Sequence, residues 1–134
     1  MDYPYPRPSK VKTKVKKGIS GLGLFAEEPI KKGIFVIEYF GPIISEEAAN
    51  QKGGKYLFEL DAHKTIFGAS RKNIARYVNH SCKPNCEAIQ EGDRIFIYTK
   101  RAIKTSEELT YNYGKEYFDD HIKPVGCCCD ACST

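Results

Sequence analysis

The chain has 134 residues, 6 of them cysteine, with 21 basic against 17 acidic side chains and a net charge of +4. That is one domain's worth of sequence, enough for a single hydrophobic core and too short for two ordinary ones. No apolar run approaches the roughly 20 residues of a membrane span, and Met1 to Lys17 carries prolines and lysines instead of the apolar stretch of a secretory leader, so the expectation is a soluble, intracellular protein with no membrane partner.

In chain order, Met1 to Pro8 reads as an extended lead-in, because alternating Tyr3, Pro4, Tyr5 and Pro6 favour extended backbone without ladder hydrogen bonds. A strand is predicted over Val11 to Lys16, with the even-numbered lysines on one face and Val11 and Val15 on the other. Its lysines are either a solvated face or a basic patch guiding a nucleic acid or an acidic partner; they are sparser than such a patch usually is, so the solvated face is the expectation and direct nucleic-acid binding is not expected. The Gly18-Ile-Ser-Gly-Leu-Gly-Leu-Phe-Ala stretch reads as a glycine-rich hairpin turn in which Gly21 and Gly23 could also let backbone approach a ligand. It is not a dinucleotide fingerprint: the third glycine is missing and Glu27-Glu28-Pro29 opens no phosphate-binding helix.

Further strands are predicted over Phe35 to Tyr39, Tyr56 to Leu60, Thr65 to Phe67, Ala88 to Gln90 and Arg94 to Thr99, from β-branched and aromatic residues bounded by Gly, Pro, Asn or Asp. Ser45 followed by Glu46, Glu47, Ala48 and Ala49 predicts a capped helix of about two turns stopped by Gly53 and Gly54. Ser70 to Val78 predicts a second short helix, with Ile74, Tyr77 and Val78 on one side. The sum is a mainly β domain with short helices.

Chemistry-bearing residues cluster late in the chain. Asn79-His80-Ser81-Cys82-Lys83-Pro84-Asn85-Cys86 offers donors and acceptors that could bind a zwitterionic ligand or lock a loop. In Glu108-Leu-Thr-Tyr-Asn-Tyr-Gly114 the alternating Tyr111 and Tyr113 share a face only if the chain bends there. Cys127, Cys128, Cys129 and Cys132 lie too close together for good pairwise disulfide geometry, and Cys127, Cys129 and Cys132 supply three thiolates of a tetrahedral zinc site. The fourth ligand is Cys82, Cys86 or Cys128.

Taken in order, Gly21-x-Gly23, Glu38-Tyr39-Phe40-Gly41, Arg76-Tyr-Val-Asn79-His80-Ser81-Cys82-x-Pro84-Asn85, Glu108-Leu-Thr-Tyr111-Asn-Tyr113-Gly114 and the terminal cysteines resemble the SET-domain protein lysine methyltransferases, from about Val15 to Cys132. The resemblance implies a β-clip of small curved sheets with a C-terminal pseudoknot, divided as lead-in 1–14, SET domain 15–117 and post-SET-like zinc-binding tail 118–134. It implies transfer of a methyl group from S-adenosylmethionine to a lysine in a basic tail of a histone or other chromatin protein. Gly21, Leu22, Gly23, Tyr56, Arg76, Asn79 and His80 would then line the cofactor site. Tyr39, Phe58, Tyr111 and Tyr113 would form the lysine channel, with Tyr113 as the catalytic tyrosine supported by Tyr111 and Tyr39. Cys82 would join Cys127, Cys129 and Cys132 around Zn2+. Tyr111 stands where the family carries phenylalanine or tyrosine, which implies mono- or dimethylation. Departures from the family pattern are Pro42, Gly68 before Ala69, Asn112 between the tyrosines, and the short Cys-x-Cys-x-x-Cys spacing. The alternatives are a catalytically inactive SET-like binding module and a small zinc-dependent nucleic-acid binder. Location follows source, cytoplasmic in a prokaryote and nuclear in a eukaryote or a host.

Overall fold

The computed structural model describes residues 6–18, 21–52 and 56–113. Among these the chain forms short strands gathered into four small sheets, with one α-helix and one 3₁₀ turn. Strands β1 (Thr13–Gly18) and β2 (Gly21–Ala26) make an antiparallel hairpin with Val15 opposite Leu24 and Gly18 opposite Gly21. Lys14 and Lys16 are exposed while Val15 packs on the core, as the alternation predicts. The glycine-rich stretch is mostly strand. Only its first part turns the chain, and Gly21 supplies a φ of +91° that other residues rarely adopt. Two glycines lower the β-propensity of β2, yet Leu24 and Ala26 are buried and fasten it to the core.

The second sheet has the order β3 (Phe35–Tyr39), β9 (Arg94–Thr99), β8 (Cys86–Glu91), all antiparallel. Its central strand buries Ile95, Phe96 and Ile97 almost completely, which is why Arg94 to Thr99 reads as a continuous apolar run. Gly92, with φ +62°, turns β8 into β9 between the paired Glu91 and Arg94. A third sheet is ordered β4 (Ile43–Ser45), β6 (Lys64–Phe67), β5 (Leu57–Glu59). Helix α1 (Glu46–Lys52) follows β4 directly: the Ser45 hydroxyl accepts the Ala48 N–H at 3.1 Å, and Glu46 and Glu47 complement the helix dipole. The stop expected at Gly53 and Gly54 lies outside the described residues.

The second predicted helix, Ser70 to Val78, does not form. Only Ile74–Tyr77 is helical, as a 3₁₀ turn, and the backbone bonds around it run three residues back: Asn73 N–H to Ser70, Arg76 to Asn73, Val78 to Ala75, at 3.0–3.1 Å. The reason is Asn73, which is fully buried. Its Oδ1 accepts the Phe40 N–H at 3.2 Å and its Nδ2 donates to the Gly68 carbonyl at 3.0 Å, so it serves tertiary partners in place of a helical register.

The fourth sheet is the shortest. Strand β7 (Asn79–His80) pairs in parallel with β10 (Thr110–Tyr111), Asn79 beside Thr110 and His80 beside Tyr111. Two residues per strand are too few to show a period of two in sequence. The segment leading into β10 is held on its other side by β2: Ala26 donates to the Glu107 carbonyl at 2.9 Å and Leu109 to that of Leu24 at 2.8 Å. The closing segment therefore lies between the glycine-rich hairpin and the Asn-His strand. No helix among the described residues is long and apolar enough to cross a membrane.

Candidate functional site

Four aromatic side chains from different elements meet in a continuous run. Tyr39 on β3 lies 5.4 Å from Phe58 on β5, Phe58 stacks on Tyr111 of β10 at 6.2 Å, and Tyr111 lies 4.9 Å from Tyr113 between ring centroids. Tyr111 and Tyr113 share this face because β10 ends at Tyr111, so strict alternation need not continue past it. The run continues to His80, 5.3 Å from the Tyr113 ring. Aromatic walls of this kind exclude water while leaving hydroxyls where the run needs polarity.

Tyr113 is held at both ends. Its hydroxyl donates to the Val78 carbonyl at 2.7 Å, and its backbone N–H donates to His80 Nδ1 at 3.1 Å. An accepting Nδ1 leaves the proton of the neutral ring on Nε2, the atom 3.6 Å from Cys82 Sγ. Burial lowers the His80 pKa below the ordinary imidazole value, which agrees with a neutral, accepting ring.

Asn79, next to His80 on β7, joins two neighbouring elements. Its Nδ2 donates to the Leu22 carbonyl at 3.0 Å and to the Glu108 carboxylate at 2.9 Å, joining the glycine-rich hairpin to the closing segment. Gly23 is needed for this junction: a Cβ there would overlap the Glu108 carboxylate and sit 3.2 Å from Asn79 Nδ2. Gly21 instead faces open space. Leu22 is 55% exposed.

A second cluster adjoins the aromatic run. The Arg76 guanidinium lies 4.3 Å from the Tyr56 ring centroid and 5.0 Å from that of Tyr77, and it donates through Nη1 to the Ala69 carbonyl. Its Nε is buried without a partner among the described residues. Tyr56 has a φ of 67°, and its carbonyl accepts the Gly68 N–H at 2.7 Å. Gly68 in turn is the seat of the Tyr39 ring, two of whose carbons would be 2.6 Å from an added Cβ.

One side chain pins the closing segment. Asn85, 3% exposed, donates from Nδ2 to the Glu108 carbonyl at 2.7 Å and to the Glu107 carboxylate at 3.2 Å, and its Oδ1 accepts the Thr110 N–H at 2.9 Å. Glu107 also receives Arg101 at 2.5 Å.

With the geometry in view, the sequence comparisons decide the family: residues 21–114 match the family described as SET domain. The chain belongs to the SET domain family. Over 125 residues, 84% of the chain, this SET domain is 40% identical to the human histone-lysine N-methyltransferase 2D, of which it covers 2%. It is 39% identical over 126 residues to the Caenorhabditis elegans histone-lysine N-methyltransferase set-2, covering 84% of the chain and 8% of that protein. The Schizosaccharomyces pombe histone-lysine N-methyltransferase, H3 lysine-4 specific, is 39% identical over 126 residues, 84% of the chain and 13% of its own length. The chain thus spans a small fraction of the length of these curated relatives.

Within the SET domain the cysteines divide by environment. Cys86 is 1% exposed, and burial pushes its thiol up to about 12. Cys82 is exposed. Cys127, Cys129 and Cys132, with Cys128, lie outside the described residues. Three polar residues hold this SET domain's site together: Asn85, which the polar run allowed as a loop lock, and Asn73 and Glu108, for which the sequence suggests no role. Asn85 and Glu108 stand inside the motifs, so their placement was visible; Asn73 carries no sequence signal.

Proposed function

We propose that this SET domain transfers a methyl group from S-adenosylmethionine to the side-chain nitrogen of a lysine in a basic histone tail, or in another chromatin protein. The observation that carries the reading is the aromatic run ending at Tyr113, whose hydroxyl is held by Val78 beside the Asn79-His80 strand. The relatives named as histone-lysine methyltransferases support the substrate class, with histone H3 the first candidate.

The chemistry of the residues fits the cofactor. A zwitterion needs both donors and acceptors; Arg76 Nε is a buried donor with no partner among the described residues, and Asn79, with both amide hydrogens engaged, offers an oxygen acceptor. Gly21, Leu22, Gly23, Tyr56, Arg76, Asn79 and His80 would hold it. Bound S-adenosylmethionine supplies an electrophilic methyl carbon on a sulfonium.

A lysine is nucleophilic only when neutral, and its free pKa is about 10.4. The walls formed by Tyr39, Phe58, Tyr111 and Tyr113 disfavour the ammonium form by desolvation. Tyr113 orients the amine: its hydroxyl proton is committed to Val78, and a phenol oxygen that donates its proton can also accept. The Tyr111 hydroxyl takes up channel space, which supports mono- or dimethylation. Tritium transfer to histone H3 by the wild type, reduced about 100-fold or more in Tyr113→Phe with cofactor binding intact, tests the assignment. Cofactor binding without transfer to any basic protein would instead indicate an inactive binding module. If Tyr111→Phe and wild type stop at the same methylation state by mass spectrometry, the steric argument fails.

We further propose a domain division of 15–117 with a zinc-binding tail over 118–134, in which Cys82 joins Cys127, Cys129 and Cys132. The exposed thiol of Cys82 fits that role and the buried, protonated thiol of Cys86 does not. Loss of bound zinc in Cys82→Ser, with zinc retained in Cys86→Ala, is the expected result; equal activity before and after exhaustive chelation would remove any functional role for the metal.

A further inference from the structure

We propose that Glu108 is a positioning residue for the cofactor site, acting through Asn79; the inference rests on the reading of Asn79 as a cofactor-binding residue. An Asn side chain presents a carbonyl oxygen on one side and an NH₂ on the other, and its usefulness to a ligand depends on which way the amide faces. Here the orientation is decided twice. The Leu22 carbonyl and the Glu108 carboxylate both accept from Asn79 Nδ2, at 3.0 and 2.9 Å, and neither can donate. Turning the amide over would set oxygen against oxygen at both contacts. With both hydrogens committed, Oδ1 is what Asn79 has left to offer, so the wall presents an acceptor and selects a donor on the ligand.

Gly23 belongs to the same device. Its backbone carries no left-handed φ, so the turn does not require glycine there. What requires it is the space: a Cβ would overlap the Glu108 carboxylate and crowd Asn79 Nδ2 at 3.2 Å. The second glycine of β2 thus makes room for the clamp beneath it, whereas Gly21 is needed for its φ of +91°. Glu108 reaches this position because Leu109 is hydrogen-bonded to Leu24 and Thr110 pairs with Asn79, which sets the register of the closing segment against both neighbours.

The experiment measures S-adenosylmethionine binding by calorimetry, and the KM for each substrate and kcat, on the full chain. Glu108→Ala is expected to weaken cofactor binding about tenfold, the scale of one hydrogen bond to a charged group, and to raise the cofactor KM while kcat at saturating cofactor and the KM for the lysine peptide stay near wild type. Glu108→Gln, whose amide oxygen can accept the same N–H, is expected to stay within about threefold of wild type. Gly23→Ala is expected to weaken binding in the wild-type background and to add little in the Glu108→Ala background, where the Cβ has room. If Gly23→Ala costs the same in both backgrounds, the glycine serves the ligand directly and the clamp is wrong. A Glu108→Ala protein that binds cofactor as tightly as wild type, or that loses kcat and peptide KM together, also overturns the positioning role. A wild-type chain that binds no S-adenosylmethionine sinks the functional reading itself, a distinct outcome.

Discussion

Asn85→Ala removes the pin between β8 and the segment that carries Tyr111 and Tyr113. The side chain is 3% exposed, so its partners have little water to turn to. Truncation strands the Thr110 N–H and the Glu108 carbonyl, and it deprives the Glu107 carboxylate of one donor. At about 1–3 kcal/mol for each stranded buried group, and allowing for partial relaxation, the two backbone groups together give a loss of about 2–4 kcal/mol. A domain of this size has about 5–15 kcal/mol in total, so the variant remains folded but weakened. In urea, with a slope near 1.5 kcal/mol/M, the midpoint should fall by about 2 M at unchanged slope. Asn85→Asp is the control for volume: it keeps the acceptor for Thr110 but turns an oxygen toward the Glu108 carbonyl and the Glu107 carboxylate, so at neutral pH it should be no more stable than Asn85→Ala. A midpoint shift under about 0.5 M for the alanine variant, or an aspartate variant close to wild type, would refute the hydrogen-bond account.

Burial alone would raise the Glu107 pKa, but hydrogen bonds from Arg101, the Lys104 backbone and Asn85 outweigh it and hold the pKa below the usual carboxylate value. A depressed carboxylate stabilises the fold above its unfolded pKa and loses that contribution as pH falls through the folded one; the Tm gap between wild type and Glu107→Gln should therefore be constant above about pH 5 and close in stronger acid, and a gap unchanged at all pH values would contradict it. Gly68→Ala should cost about 1–3 kcal/mol by overpacking and push the Tyr39 ring toward Phe58, shifting products to fewer methyl groups by mass spectrometry; an unchanged product distribution would separate Gly68 from channel width. Alkylation of the native chain in the presence of a chelator near neutral pH should modify Cys82 and spare Cys86, whose thiol is pushed up to about 12, and peptide mapping that finds both modified equally would rule this out. Arg94→Met leaves the Glu38 carboxylate, 3% exposed, without its bidentate partner; a loss of about 3 kcal/mol is expected, the low end for a broken buried pair because Arg94 is itself 37% exposed, and Glu38→Met with Arg94→Met should be more stable than Arg94→Met alone.

Elements with local chemistry were legible in the sequence. Phe35 to Tyr39 and Arg94 to Thr99 match their strands residue for residue, and the Ser45 cap predicts α1, because propensity, burial and capping agree there. The failures are tertiary. Strand β2 is disguised by glycines whose placement answers to Glu108 and a turn, and β7 and β10 are strands only by virtue of each other. The Ser70 to Val78 stretch has helical spacing, but Asn73 spends its side chain on Phe40 and Gly68. As for the site, the motifs name Tyr111, Tyr113, Asn79 and His80, while the hydrogen bond that sets the Tyr113 hydroxyl is made to the Val78 carbonyl, a backbone group to which no residue type is a guide.

The closing segment explains why these polar residues sit where they do. Glu107 and Thr110 face Asn85 and Arg101, Glu108 faces Asn79 and Gly23, Leu109 is buried in the core, and Tyr111 and Tyr113 face the aromatic run. Successive residues thus contact different neighbours, so a shift of one position would break every contact at once, and the register is far more sharply specified than a pair of two-residue strands could achieve alone. Glu108 against the hairpin and Tyr113 against Val78, five positions apart on the same backbone, are held by separate hydrogen bonds, so losing the first leaves the second in place.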